Sequence, residues 1–161
     1  MRSRPQVARW LLLAIAALSV TAVAAALVSQ HVFDMPPCPW CVLQRAIYLA
    51  IAAVCLIGAA LAVPLARRAA GALALLLALI GAAAALYQEL VAAKSASCNL
   101  TFADKVMSFL GLDSILPWLF QVYASCADAA VAMLGVPYAY WSLALFAALG
   151  LGAARVTFGR T

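Results

Sequence analysis

Four cysteines in two pairs carry the chemistry this chain can do. Cys38-Pro39-Trp40-Cys41 is a Cys-x-x-Cys at the head of an apolar stretch, and Cys98 and Cys126 lie 28 positions apart in the long segment further on. A dithiol that closes to a disulfide releases two electrons and two protons, and thiolate attack on a disulfide passes the bond from one pair to the next. Two pairs in one chain therefore read as an electron relay. Zinc is the competing use of cysteine, but a structural zinc site wants about four ligands at close spacing. The second pair is too widely separated for a zinc knuckle, and the single histidine is His31. A structural staple is the other alternative. Bridging two intervening residues removes little unfolded-state entropy, because that stabilisation grows only with the logarithm of loop length.

Reactivity explains the short spacing better. Cys41 stands at the start of an apolar helix, where unpaired amides and the helix dipole favour a thiolate, and Arg45 follows four residues later on the same face. The thiolate is the attacking species in exchange and the electron-rich form that can contact an oxidised ring. The fifth cysteine, Cys55, falls roughly 20 Å further along that helix, where a thiol behaves as a small hydrophobe.

The elements that position these residues follow from composition. The chain has 161 residues, 69% hydrophobic and 9% charged, far from the roughly 25% charged residues of soluble domains. Uncharged stretches long enough to cross a bilayer predict four spans at about 10–29, 43–65, 69–88 and 138–156 in one all-α membrane domain covering 1–161. Pro137 sets the start of the last one, since proline suits a helix's first turn. The first span, with an Arg-rich start, has an uncharged core longer than a signal peptide's and is read as a retained helix. Arg2, Arg4, Arg9, Arg67, Arg68, Arg155 and Arg160 cluster at one set of span ends, with Arg67 and Arg68 assigned to the turn between the second and third spans. Positive charge is retained on the cytoplasmic side, so both termini are expected there, and both cysteine pairs opposite. The +5 net charge is thus a consequence of topology. Nucleic-acid binding is excluded because the basic residues form no single patch.

Two segments are expected outside, about 30–41 and 89–137. In the longer, Phe102, Val106, Phe109 and Leu110 share one helical face, which predicts a short helix lying on the bilayer or packed against the bundle. Asn99-Leu100-Thr101 matches a glycosylation triplet that is common by chance. Cys98 and Cys126 on this loop are expected to reach water and exchange with a soluble protein. The relay also needs a terminal acceptor, and the chain has no second His for haem, no iron–sulfur spacing and no dinucleotide fingerprint. A lipid-soluble quinone entering near Cys41 and Arg45 fits.

These residues resemble the DsbB family of disulfide bond formation proteins, inner-membrane thiol oxidases of bacteria. The likeness runs through Gln30-His31-Val32, Pro37 to Arg45, Cys98, Cys126, and Pro137 through Trp141-Ser142-Leu143, in family order. It implies a four-helix bundle with two periplasmic loops. It further implies that the Cys98–Cys126 disulfide oxidises a periplasmic DsbA-like thioredoxin-fold protein, with Cys98 forming the mixed disulfide. Cys38 would then exchange with Cys126, freeing Cys41 as the thiolate in contact with ubiquinone or menaquinone, while Arg45 favours that thiolate and polarises the quinone. No metal is implied, and a monomer is expected. Some relatives carry a His near the outer end of the third helix, where this chain has Tyr87-Gln88-Glu89. Two other classes compete with this reading: a quinone-linked thiol enzyme like vitamin K epoxide reductase, and a non-catalytic scaffold braced by disulfides.

Overall fold

Hydrocarbon offers backbone groups no water, so every crossing segment must close its own hydrogen bonds as a helix. The computed structural model describes residues 4–94 and 101–159, and four of its helices are long and apolar enough to cross a membrane. They are α1 (Arg4–Val32), α2 (Pro39–Ala60), α3 (Pro64–Leu90) and α7 (Tyr138–Phe158).

Several boundaries differ from the sequence expectation. α1 continues through Gln30 and His31, so the first connection is only residues 33–38. α2 begins at Pro39, four residues earlier than expected, because Cys38 caps it and Pro39 fills the first helical position, which has no need of an N–H. Arg67 and Arg68 lie inside α3 and not in the turn: Pro64 starts that helix, leaving residues 61–63 as the link. Pro137 precedes α7 as expected.

α3 packs most extensively on α7, while α2 is gripped by α1 on one side and α3 on the other. Without a hydrophobic drive between helices in lipid, close approach depends on small residues. A Cβ at Gly58 would run into Ala70 across the α2–α3 turn, and one at Gly81 would enter the Phe146 ring of α7. Phe146 in turn stacks on Tyr48 of α2, with centroids 4.1 Å apart and planes 1° from parallel. Three helices thus meet in one contact beside the residues that matter below.

The long connection folds onto the bundle. Helix α4 (Phe102–Leu110) opens with a capping box: the Asp104 N–H donates to Thr101 Oγ1 and the Thr101 N–H donates to Asp104 Oδ2. Ala103 and Met107 are its buried face, while Phe102, Phe109 and Leu110 point outward. The apolar face read from the sequence is therefore the outward one, and a neighbouring face holds the helix down. Short helices α5 (Leu112–Ile115) and α6 (Pro117–Phe120) follow, then a two-residue antiparallel hairpin, β1 (Ala132–Met133) with β2 (Val136–Pro137). Its turn residues Leu134 and Gly135 have φ of 55° and 77°. Trp141 Nε1–H donates to the Met133 carbonyl at 3.2 Å, tying the hairpin to α7. Asn99 and Cys98 lie outside the described residues.

Gly81→Ala should destabilise the detergent-solubilised protein by ~1–3 kcal/mol through overpacking, whereas Gly150→Ala, whose added Cβ would meet only ordinary contacts at 3.7 Å, should be tolerated. Thermal unfolding of both variants checks this; equal melting temperatures would contradict the packing described.

Candidate active site

The site begins at the cap of α2. Cys38 has extended backbone angles (φ −87°, ψ 167°) and its sulfur accepts the Cys41 N–H at 3.3 Å, the bond a Ser or Asp oxygen would ordinarily accept. That turn brings the Cys38 and Cys41 sulfurs to 2.6 Å from one another, both free thiols.

The far loop supplies a third sulfur. The N–H groups of Tyr123 and Ala124 donate to the Pro37 carbonyl at 3.1 and 3.3 Å, which fastens the loop beside the cap. Ser125 and Asp128 close a turn around Cys126 through a 2.6 Å hydroxyl–carboxylate bond. Cys126 is thereby buried in one cluster with Cys38, Trp40, Ala84, Ala92 and Ala103. This differs from the expectation that both loop cysteines reach water. Trp40, tilted against Tyr87 with centroids 4.7 Å apart and facing Phe102 at 6.5 Å, forms the wall that α3 and α4 close over the sulfurs.

Cys38 is the middle member of the three. Sharing its proton with Cys126 and with Cys41, and being buried, pushes its thiol well above the ordinary range. Cys126 is pulled below that range: its sulfur takes hydrogen bonds from Cys38 and from the Trp40 backbone N–H, which outweigh its burial. In the reduced protein Cys38 is thus the proton holder and Cys126 the incipient thiolate.

Cys41 has a different outlook. It lines a cavity of about 260 Å³ between α1, α2, α3 and α7, whose lining includes Arg45, Tyr48 and Tyr138 but neither Cys38 nor Cys126. Arg45, 5% exposed, donates from Nη1 to Gln30 Oε1 (2.7 Å) and the Leu119 carbonyl (3.1 Å), and from Nη2 to the Ala26 carbonyl (3.2 Å). All three acceptors are neutral, so these bonds leave the positive charge of the guanidinium in place at the cavity. The same bonds join α1, α2 and α6, giving Arg45 a structural share beyond the one its register with Cys41 implied.

Sequence reasoning missed four polar residues here. Gln88, at the end of α3, donates from Nε2 to the Cys41 sulfur at 3.3 Å. Gln44 donates to Gln88 Oε1 at 2.6 Å, Ser142 donates to Gln44 Oε1 at 2.5 Å, and the Tyr48 and Ser142 hydroxyls are 2.9 Å apart. All four line the cavity. The available signal was Gln88 beside Glu89 where a His stands in some relatives; Glu89 is not part of the lining. Cys55 sits fully buried in the apolar core, as a packing residue should.

Comparison with known proteins agrees with this geometry. The family model described as disulfide bond formation protein DsbB matches residues 8–156. Disulfide bond formation protein B of Herminiimonas arsenicoxydans is 33% identical over 89% of this chain and 90% of its own. Disulfide bond formation protein B 2 of Burkholderia lata is 35% identical over 89% and 84%. The corresponding protein of Aromatoleum aromaticum is 39% identical over 71% and 70%. The chain belongs to the DsbB family of disulfide bond formation proteins.

Proposed function

We propose that this membrane disulfide-generating oxidase is a protein-dithiol:quinone oxidoreductase of the bacterial inner membrane. It accepts two electrons from a periplasmic DsbA-like thioredoxin-fold protein and gives them to ubiquinone or menaquinone, working as a single membrane domain with cytoplasmic termini. One observation carries the reading: Cys38 lies between Cys126 and Cys41, and of these three only Cys41 opens on the apolar cavity. The sulfurs are ordered from loop to lipid.

The steps balance. A client thiolate attacks Cys98 of a Cys98–Cys126 disulfide, forming the mixed disulfide and releasing Cys126 as a thiolate. Cys126 attacks Cys38 of a Cys38–Cys41 disulfide; the Cys126–Cys38 bond forms, the Cys38–Cys41 bond breaks, and the electron pair leaves on Cys41. The client's second thiolate then displaces Cys98 and departs oxidised, and the freed Cys98 thiolate displaces Cys38 from Cys126, which restores the Cys98–Cys126 disulfide and leaves Cys38 and Cys41 reduced as the two-electron donor. With Cys38 in a disulfide it has no proton to share, and the Trp40 backbone N–H remains to favour the Cys126 thiolate, which is the attacking form. Arg45 and the Gln88 amide face the sulfur on which the charge arrives.

A quinone bound in the cavity supplies an acceptor for two electrons and two protons. The residues present fit one. The cavity is smaller than the ~300 Å³ lower end for drug-sized ligands, which suits a single-ring head group whose tail stays in lipid. Its walls are mostly aliphatic, with Ala22, Ala25 and Ala26 of α1 leaving room for a flat ring. Arg45 can favour negative charge on a ring oxygen as well as on Cys41. A purely bracing role lacks comparable support, because it calls for neither a third sulfur beside Cys38 nor a cavity at Cys41.

Anaerobic mixing of purified protein with a reduced DsbA-like partner and quinone should consume one quinone for each client disulfide formed, followed by quinone absorbance and client thiol content. Client oxidation with quinone untouched would contradict the acceptor; no client oxidation would contradict the oxidase.

The pH dependence follows from the thiol shifts. A lowered thiol value means that Cys126 deprotonates below the ordinary value of 9.0 and loses its thiolate only when pH falls through the lowered value, while Cys38 stays protonated well above 9.0. In fully reduced protein, the iodoacetamide rate at Cys126, normalised to its own plateau and read by peptide mass spectrometry, should rise at lower pH than that at Cys38. Cys38→Ala should move the Cys126 curve upward. Superimposable curves would refute the assignment.

A further inference from the structure

The four polar residues around Cys41 form a line with a direction. A thiolate can only accept hydrogen bonds, so when Cys41 is ionised the Gln88 amide must present its Nε2 to the sulfur, as it does at 3.3 Å. Gln88 Oε1 then has to face Gln44, which must donate from Nε2, as it does at 2.6 Å. Gln44 Oε1 is left to accept the Ser142 hydroxyl proton, and Ser142 Oγ, having donated, is free to accept from Tyr48 at 2.9 Å. One donor hydrogen of each of Ser142, Gln44 and Gln88 is thus directed along the line toward one sulfur, and the Tyr48 hydroxyl starts it, shared between Ser142 Oγ and, at 3.2 Å, the Ser142 carbonyl. Gln44 and Gln88 are 5% and 6% exposed, so these bonds have little competition from water. Donor chains of this kind polarise one another, each link strengthening the next.

We infer that Tyr48, Ser142, Gln44 and Gln88 act as a one-way donor chain whose end bond holds Cys41 as a thiolate at the cavity, with Gln88 touching the reacting sulfur and the other three serving as positioning residues. The inference rests on the reading of Cys41 as the sulfur that faces the acceptor. The chain spans three helices, with Gln44 and Tyr48 from α2, Gln88 from α3 and Ser142 from α7. It is anchored by the stack of Tyr48 on Phe146, which Gly81 admits. Arg45 approaches the same sulfur as a bare charge, and the amide adds a directed hydrogen bond that the charge alone cannot give. The chain also marks the state of the site: once Cys41 carries a proton or a disulfide, the demand that fixes every link is relaxed.

The test reads Cys41 alone, without quinone. In fully reduced full-length protein, iodoacetamide labelling of Cys41 is followed by peptide mass spectrometry across pH for wild type, Gln88→Leu, Ser142→Ala, Ser142→Thr and Tyr48→Phe, with melting temperature measured in parallel. The other titratable or charged groups facing this sulfur are Arg45 and Tyr48 of α2, Tyr138 of α7, the Cys38 thiol and, behind it, the Cys126 thiol of the long connection. All but Tyr48 are kept in every variant, and Tyr48 is altered only in Tyr48→Phe. Gln88→Leu should cut the neutral-pH rate about tenfold or more, the scale of one lost hydrogen bond to a charged group, and move the profile to higher pH. Ser142→Ala and Tyr48→Phe should each cut it roughly twofold through weakened polarisation. Ser142→Thr, which keeps the hydroxyl, should restore the wild-type curve. If Gln88→Leu does not fold, the Ser142 and Tyr48 variants decide. Profiles unchanged in Ser142→Ala and Tyr48→Phe would overturn the chain, even if Gln88→Leu alone were slowed. Shifted profiles in protein that consumes no quinone would leave the chain standing and remove the quinone reading instead.

Discussion

A charged sulfur at the rim of a hydrocarbon layer is tolerated only if donors or cations meet it on several sides, because a buried polar group without a partner costs a few kcal/mol and an ion far more. Much of this protein's architecture answers that requirement at Cys41. The N-terminus of α2, the Gln88 amide from α3 and the buried Arg45 charge converge there, and α7 contributes through Ser142. Helices that otherwise pack through apolar side chains and small residues are joined by one polar cluster set in an apolar bundle. Arg45 illustrates the coupling between fold and chemistry, since the bonds that anchor α1 and α6 also fix the guanidinium at the cavity.

The second organising feature is the division of labour at the cap of α2. Pro39 begins the helix, Cys38 caps it, and Trp40 closes the side that faces the loop, so the two sulfurs of one motif look in different directions. Cys38 belongs to the buried cluster that receives Cys126, and Cys41 belongs to the cavity. On the proposed reading, such a partition keeps an aqueous client apart from a lipid-borne acceptor, and three residues at a helix start provide it. Membership of the DsbB family agrees with that arrangement.

What was legible in the sequence is what depends on local chemistry. Hydropathy runs reveal spanning helices because the bilayer enforces a length, and Pro137 reveals a helix start because it lacks an N–H. The Cys-x-x-Cys and Arg45 stood out because their spacing puts them on one helical turn. The boundaries were harder to place: α1 absorbs Gln30 and His31, and α3 absorbs Arg67 and Arg68, since polar residues at span ends can continue a helix beyond the hydrocarbon. The Gln88, Gln44 and Ser142 line was hidden, because its members are distant in sequence and each alone looks like an ordinary polar residue near a helix end. The burial of Cys126 was likewise invisible: it depends on the Pro37 carbonyl accepting two loop amides, a contact no periodicity encodes.

Disulfide mapping reads directly the order in which the sulfurs exchange partners. Oxidised enzyme free of quinone, mixed with a client whose resolving cysteine is replaced by serine and then acid-quenched, should yield three products by peptide mass spectrometry. These are client joined to Cys98, Cys38 joined to Cys126, and Cys41 as a free thiol. A client joined to Cys38, or a Cys38–Cys41 disulfide surviving beside a free Cys126, would contradict the relay.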